Sequence, residues 1–318
     1  MARRVSLVGL LALVVLGCGG SARVAALRTN YLYVKDAVVQ FVPVAGHKLR
    51  VITVGSGPPL LLLHTLRTQA DYFGRLVPYL VDDWTVTIVD LPGHGFSDAP
   101  DVNYDQAFFI DSIRALLQIR DMRDVVIAGD SIGASIALAL AAEHDCHVRS
   151  VVAVNTYDYV DGGAGGAARA SPMAQVYFHA LEWPLVGWIT ARIAPRFAVQ
   201  KILQSGFSDE DAFPDRYMNV LYDVGIEPHA ILSIEREHES WARARAQYPR
   251  IRVPVQLVYG IQDWSRIEDR KANARAIPTA RLTAIPGAGH FLSLEKPAAV
   301  AAIIQAEHTA APLAETCP

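Results

Sequence analysis

The stretch from Val125 to Ala142 constrains the fold more than any other part of the chain. It begins with a short β-branched apolar run, which predicts a buried strand, and continues as an Ala- and Leu-rich run, which predicts a helix. Between the two lies the motif G-x-S-x-G, formed by residues 129–133. A serine on a sharp strand-to-helix turn stands at the helix N-terminus, where partly positive N–H groups favour a developing oxyanion. The pattern therefore indicates that Ser131 is a nucleophile.

This strand, turn and helix resemble the nucleophile elbow of the α/β-hydrolase superfamily, and the resemblance covers the chain from about Asn30 to Ala306. It implies an α/β fold in which a mostly parallel central sheet is flanked by helices and carries an inserted helical cap. We expect the first part of the core at residues 30–155, the cap at 156–250 and the second part of the core at 251–308. The cap region is helical in pattern from residue 172 to about residue 248 and shows no alternation of strand and helix.

The resemblance also implies an acid and a base for the nucleophile. Asp263 stands three positions after the glycine that ends a predicted strand, where these enzymes carry the triad acid. Asp158, which follows the preceding strand, is the alternative, since some members place the acid there. His290 follows a glycine-containing turn after the last predicted strand, which is the position of the triad histidine. The order Ser131, Asp263, His290 is the order found in this fold.

The loop after the predicted strand Leu60–His64 departs from the family pattern. Many α/β-hydrolases carry His-Gly at this point, and a residue just beyond it supplies a backbone N–H to the oxyanion hole, whereas here Thr65 follows the histidine. By position, we expect the N–H groups of Leu66 and Ile132 to form the oxyanion hole.

Two charged features and the aromatic residues of the cap lead to further expectations. Arg67, in the loop, would bind an anionic group of the substrate or pair with a nearby carboxylate. The charged run Glu235–Glu239 predicts a solvated helix face within the cap. The tryptophans and tyrosines of the cap predict its own core, with one or two of them lining an apolar substrate pocket.

The first 21 residues carry the pattern of an export signal. Two arginines precede the apolar run Val5–Gly17, which is shorter than the roughly 20 residues needed to span a bilayer. The run ends at Cys18 and resembles a bacterial lipoprotein signal, which implies lipidation of that cysteine, although Leu16 is larger than the residue usual there. A secretory signal cut near Ala22–Ala26, or an uncleaved membrane anchor, is the alternative. We expect a membrane-anchored, periplasmic or secreted protein that contacts the membrane only through this segment.

Net charge and cysteine spacing limit the partners and cofactors that we expect the chain to bind. The formal net charge of −3, from 29 basic and 32 acidic residues, gives no indication of nucleic-acid binding. Neither Cys146 nor Cys317 lies in a spacing typical of metal ligands. The expected chemistry requires no metal and no organic cofactor, and the expected partner is a small-molecule acyl substrate.

The function that these residues favour is hydrolysis of an acyl bond, most simply a carboxylic ester, through an acyl-enzyme. C–C bond hydrolases, lactonases, acyltransferases and cofactor-free haloperoxidases use the same triad, and the sequence does not separate them. A nucleophilic Asp130 is disfavoured, because Ile132 would then stand where a small residue is required. A non-catalytic, lipid-anchored binding protein is the alternative outside the enzymes.

Overall fold

The computed structural model describes residues 18–158, 166 and 169–308, with side chains from residue 24 onward. The apolar run of the expected export signal therefore lies outside the described residues, as does the side chain of Cys18. The first described element is helix α1, Cys18–Thr29. No helix within the described ranges is long and apolar enough to cross a membrane.

The centre of the molecule is an eight-stranded sheet. Its strands are β1 Val38–Val44, β2 His47–Val54, β3 Pro59–Leu63, β4 Thr85–Val89, β5 Val125–Asp130, β6 Val148–Val154, β7 Val255–Gly260 and β8 Ala280–Ile285. Their spatial order is β1-β2-β4-β3-β5-β6-β7-β8. The strand β2 is antiparallel to both of its neighbours, and every pair from β4 to β8 is parallel. The predicted mostly parallel sheet is therefore confirmed.

The inner strands are apolar along their whole length because both faces of the sheet are covered. In β3, Leu61 and Leu63 belong to one hydrophobic core, and Leu60 and Leu62 belong to the core on the opposite face. This alternation follows from the period of two in a strand. The helices that cover the sheet include α2, Gln106–Ile119, and α3, Ile132–Ala142.

Between β6 and β7, where the resemblance places the cap, the described residues from 169 onward form six α-helices. They are α4 Pro172–Glu182, α5 Pro184–Ile193, α6 Arg196–Gln204, α7 Asp215–Val224, α8 Pro228–Arg236 and α9 His238–Arg243. We call residues 172–243 the inserted helices. The chain then returns to the sheet and ends its described part with α10 Ile267–Ala276, α11 Leu292–Glu295 and α12 Pro297–Glu307.

Candidate active site

The turn between β5 and α3 holds Ser131 in a conformation that few residues adopt. Its backbone has φ 56° and ψ −112°, which is a strained region for any residue with a side chain. The neighbouring positions 129 and 133 must be glycine, because there is no room for a Cβ atom at either of them. A Cβ atom at Gly129 would lie 2.4 Å from the backbone of Gly133, and one at Gly133 would lie 2.1 Å from the carbonyl oxygen of Leu63. The G-x-S-x-G motif thus permits close packing of β5, α3 and β3 around the turn.

The turn places Ser131 next to the histidine that the sequence singled out. The Oγ atom of Ser131 lies 3.2 Å from Nε2 of His290, and Nδ1 of His290 lies 2.6 Å from Oδ1 of Asp263. All three side chains are almost completely buried. The residues predicted as nucleophile, base and acid therefore form one continuous chain of hydrogen bonds, although they come from three distant parts of the sequence.

Asp263 is held ionised by its surroundings. Burial acts to raise the pKa of this carboxyl, but the adjacent His290 and hydrogen bonds from His290 and Ser265 outweigh burial, and the pKa lies below its usual value. The backbone N–H of Ser265 donates to Oδ2 of Asp263 at 3.0 Å, and the Ser265 hydroxyl donates to the same oxygen. The Arg270 guanidinium donates to the backbone oxygens of Asp263 and Ser265 at 3.0 and 2.9 Å, which fixes the loop.

The imidazole of His290 is fixed from outside the hydrogen-bond chain as well. The ring of Trp264 stacks on it, with ring centroids 3.9 Å apart and planes 13° apart. The backbone N–H of His290 donates to the carbonyl oxygen of Gly206 at 2.6 Å, and the Asn155 amide donates to the carbonyl oxygen of His290 at 2.7 Å. The histidine thus keeps one orientation toward both of its partners. No sequence pattern indicated Trp264, Asn155 or Gly206 in this role.

The alternative acid, Asp158, lies in a different hydrogen-bond network. Its Oδ2 accepts from the Tyr248 hydroxyl at 2.6 Å and from the Asn273 amide at 2.9 Å, and its Oδ1 accepts from the Thr156 hydroxyl at 3.0 Å. None of these groups belongs to the chain that ends at Ser131. Asp158 therefore links the segment after β6 to Tyr248 and Asn273, apart from the hydrogen-bond chain that ends at Ser131.

The acid next to the nucleophile, Asp130, is also bound on both oxygens. The Tyr72 hydroxyl donates to Oδ1 at 2.9 Å and the Ser293 hydroxyl donates to Oδ2 at 2.7 Å. Burial raises the pKa of Asp130 to about 6, although these hydrogen bonds oppose the rise. A carboxylate engaged by two hydroxyl groups is poorly placed for attack, which agrees with the expectation that Asp130 is not the nucleophile.

An apolar cavity of about 470 Å³ opens onto Ser131 and His290. This volume includes space that is open to solvent at the mouth of the cavity. The core contributes the loop Thr65–Arg67, together with Tyr157, Trp264 and Phe291, and the inserted helices contribute Phe178, Ile202 and Leu203. The inserted helices therefore form one wall of the cavity.

The loop at the mouth of the cavity carries the backbone groups expected for the oxyanion hole. Leu66 lines the cavity beside Ser131, and Ile132 begins α3 at the turn itself. In the part of the chain that the structure describes, neither backbone N–H donates to another protein group. His64 supports the loop from below, because its Nε2 accepts from the Leu91 N–H at 2.9 Å and its Nδ1 lies 2.9 Å from the Thr65 carbonyl oxygen. Burial lowers the pKa of His64 to about 4, so it remains neutral.

Arg67 lines the same cavity and brings a positive charge into it. Its backbone has φ 59°, and its guanidinium donates to the Tyr177 hydroxyl while lying 5.2 Å from the centroid of that ring. Among the described residues, no carboxylate lies within 4 Å of this guanidinium. The interpretation in which Arg67 pairs with a carboxylate is therefore wrong for the described residues.

Glu235 was expected on a solvated face, and the structure contradicts this. The side chain is buried, and within the described ranges its Oε1 has no hydrogen-bond partner. Burial raises the pKa of Glu235 to about 8, while the positive charge of Arg67 opposes the rise and Glu182 adds to it. Glu235 is therefore protonated at neutral pH, and it leaves the charge of Arg67 uncompensated.

One cluster away from the cavity has the composition of a metal site. Ligand atoms of Asp145, Cys146 and His147 lie within 4.8 Å of one another. Cys146 is disulfide-bonded. A thiolate ligand is therefore missing from this cluster.

Comparison with known proteins defines the class of this chain. Residues 58–297 match the family model described as the alpha/beta hydrolase fold, and the chain belongs to that family. It is an α/β-hydrolase, as the resemblance of its motifs implied.

Individual relatives are hydrolases and esterases. The chain is similar to 2-(acetamidomethylene)succinate hydrolase of Mesorhizobium japonicum, with 28% identity over 258 residues, which cover 78% of this chain and 87% of the relative. It is also similar to pimeloyl-[acyl-carrier protein] methyl ester esterase of Chromobacterium violaceum, with 29% identity over 256 residues, 78% of this chain and 94% of the relative. The crystal structure of the enol-lactonase from Burkholderia xenovorans superposes with a TM-score of 0.68 at 21% identity, covering 85% of this chain and 100% of that one. This last likeness concerns the fold alone.

Proposed function

We propose that the chain is a serine hydrolase that cleaves carboxylic esters through an acyl-enzyme. The observation that carries the proposal is the chain of hydrogen bonds from Ser131 through His290 to Asp263, which opens onto an apolar cavity. A nucleophile, a base in contact with it and a third group that orients the base are the requirements for acyl transfer.

In the first half of the reaction, Nε2 of His290 accepts the hydroxyl proton of Ser131 as Oγ attacks the carbonyl carbon of the ester. Asp263 accepts a hydrogen bond from Nδ1–H, which fixes the tautomer and stabilises the imidazolium. The tetrahedral intermediate collapses, its bond to the alkoxy oxygen breaks, and His290 returns the proton to the leaving alcohol.

The second half releases the acid. A water molecule donates its proton to His290 and attacks the acyl-enzyme, and the bond to Ser131 Oγ breaks as the proton returns to that oxygen. In both halves, the N–H groups of Leu66 and Ile132 are the donors proposed for the oxyanion. One such donor is worth about 3–4 kcal/mol of transition-state stabilisation in related chemistry.

The cavity supports a substrate with a small or medium acyl group. Its lining includes Phe178, Ile202 and Leu203, which favour apolar groups by up to about 0.8 kcal/mol for each buried methylene. The charge of Arg67 favours, in addition, a substrate that carries an anionic group. The relative from M. japonicum acts on a succinate, and the relative from C. violaceum acts on a methyl ester, and both kinds of substrate agree with such a cavity.

Labelling with a fluorophosphonate probe tests the proposal, because these probes react with an activated serine. We expect wild type to be labelled at Ser131 and the Ser131→Ala variant to remain unlabelled. Ser135→Ala is the matched control, since Ser135 lies one turn further along α3 and does not line the cavity. Absence of labelling in a folded wild-type protein would exclude the proposed mechanism and favour a binding protein.

A further inference from the structure

Helix α5 is apolar on nearly all sides and yet lies on the surface. Arg192 is the one charged residue among its ten, and Gly187 is the one residue whose surface is buried. Leu185 and Ile193 are 71% and 69% exposed. A helix that is hydrophobic all round is normally buried in a core or in a membrane. The exposure of α5 therefore indicates that something covers it.

The exposed apolar surface continues beyond both ends of α5, to Trp183 before it and to Phe197 in α6. It is formed by Trp183, Leu185, Trp188, Ile189, Ile193 and Phe197, each of which is between 40% and 71% exposed. We call these six residues the apolar face. Surface hydrophobic residues scattered singly are normal in soluble proteins, but a contiguous group of this kind marks an interaction site. Two of the six are tryptophans, which favour the boundary between water and lipid.

The charges in the segment of chain that carries the apolar face are mostly positive. Residues 169–205 contain four arginines or lysines and one acidic residue, which gives a net charge of +3, whereas the whole chain carries −3. Arg192 lies over the ring of Trp188, with its guanidinium carbon 4.7 Å from the ring centroid. An apolar face with tryptophans, bordered by basic residues, is the pattern of helices that lie in the interface of a membrane.

Packed helices connect the neighbourhood of the apolar face to the N-terminal end of the described chain. Val199 and Leu203 of α6 share a hydrophobic core with Tyr217 and Met218 of α7. Helix α7 in turn packs against α1, and α1 directly follows the apolar run Val5–Gly17. A membrane that holds this N-terminal run would therefore approach the inserted helices.

We propose that the apolar face docks on the surface of a lipid bilayer that contains anionic lipids. Trp183 and Trp188 then lie at the level of the headgroups, and Leu185 and Ile193 reach the acyl boundary. This docking brings the cavity close to the lipid. Phe178 of α4 and Ile202 of α6 line the cavity, and these two helices precede and follow α5 in the chain. This inference does not depend on the reaction proposed above.

The two exposed tryptophans provide a direct measurement. Of the five tryptophans, Trp84 and Trp241 are completely buried and Trp264 is half-buried against His290. Bromine on lipid acyl chains quenches only tryptophans in contact with them, so quenching reports on Trp183 and Trp188. The experiment uses the full chain with Cys18→Ser, which removes the predicted lipidation site, and vesicles of brominated phosphatidylglycerol and phosphatidylcholine. We expect quenching on vesicles that contain the anionic lipid and binding at least tenfold weaker on purely zwitterionic vesicles.

A triple variant with Leu185→Ser, Ile189→Ser and Ile193→Ser keeps both tryptophans and removes part of the apolar face. We expect its vesicle partition coefficient to fall by about 30- to 100-fold, because apolar area drives interfacial binding. The matched control replaces three residues exposed elsewhere, with Val102→Ser, Ile119→Ser and Leu282→Ser, and should bind like wild type. Circular dichroism shows whether both variants remain folded.

Three results would overturn the proposal. The first is equal quenching in the triple variant and the control, and the second is no quenching at all on anionic vesicles. The third is a stable wild-type dimer in sedimentation velocity that persists with vesicles and is lost in the triple variant, since a second copy of the chain would then cover the apolar face.

Discussion

Replacement of Glu235 by glutamine tests the least expected feature of the cavity region. The wild-type carboxyl is buried beside Arg67, and its pKa is raised from 4.5 to about 8. The unfolded chain therefore loses this proton near pH 4.5, whereas the folded chain keeps it until about pH 8. Between these values the native state binds more protons, so the free energy of unfolding falls as the pH rises. Glutamine has the same shape and does not titrate.

The size of the fall in unfolding free energy follows from the difference between the pKa values of Glu235 in the unfolded and the folded chain. One pKa unit corresponds to about 1.4 kcal/mol. The shift from 4.5 to about 8 therefore predicts that the free energy of unfolding falls by on the order of 2–5 kcal/mol between pH 5 and pH 9. The lower end of this range allows for relaxation of the protein around the charge. Such a fall is a large share of the stability of a typical domain. Above pH 8 the ionised Glu235 also neutralises Arg67, so the KM for an anionic ester should rise there.

Urea unfolding curves recorded from pH 5 to pH 9 measure this loss directly. We expect the Glu235→Gln variant to show a flatter dependence of unfolding free energy on pH than wild type. The exposed Glu239 lies four residues further along the chain, and the Glu239→Gln variant is the matched control that should follow wild type. If wild type and Glu235→Gln gave parallel curves, the buried and protonated state of Glu235 would be refuted.

Three further outcomes are expected. Asp263→Asn should lower kcat by about 10³- to 10⁴-fold, as loss of the triad acid does elsewhere, while Asp158→Asn should destabilise the protein with little change in kcat; the reverse pattern in steady-state kinetics would exchange their roles. Arg67→Ala should raise KM about tenfold for an anionic ester and leave KM for its neutral analogue unchanged, and an equal rise on both would remove the proposed contact. We also propose export and lipidation: expressed in a Gram-negative host, the protein should fractionate with membranes and shift toward the soluble fraction in Cys18→Ala, and a soluble cytosolic product that retains its first residue would refute export.

The fold and the candidate nucleophile could be predicted because local sequence patterns mark them. Strands buried on both faces leave continuous apolar runs, and β3 reads Pro-Leu-Leu-Leu-Leu for this reason. The turn at Ser131 needs glycines at two fixed positions because neighbouring backbone occupies the space of a Cβ atom. The resemblance to α/β-hydrolases implied Asp263 and His290 from their places after strands, and the structure brings both to Ser131.

The surroundings of the site could not be predicted, because they depend on which face a helix buries. Glu235 lies four residues after Ile231, and both are buried on the same side of α8. The spacing was visible in the sequence, but the charged residues that follow it favoured a solvated face. The stacking of Trp264 on His290 has no sequence signal, since it depends on the path of a loop in space.

Four buried carboxyl groups near the cavity differ in their pKa shifts, and the difference favours one of them as the partner of the histidine. Burial raises the pKa of Asp130 to about 6 and that of Glu235 to about 8, and it raises the pKa of Asp158 as well. Asp263 is buried to a similar degree, yet its pKa is lowered, because His290 faces it across 2.6 Å. An acid that must stabilise an imidazolium has to remain ionised when the proton arrives. Asp263 meets this condition at neutral pH through a direct contact with the imidazole, and Glu235, which stays protonated there, does not.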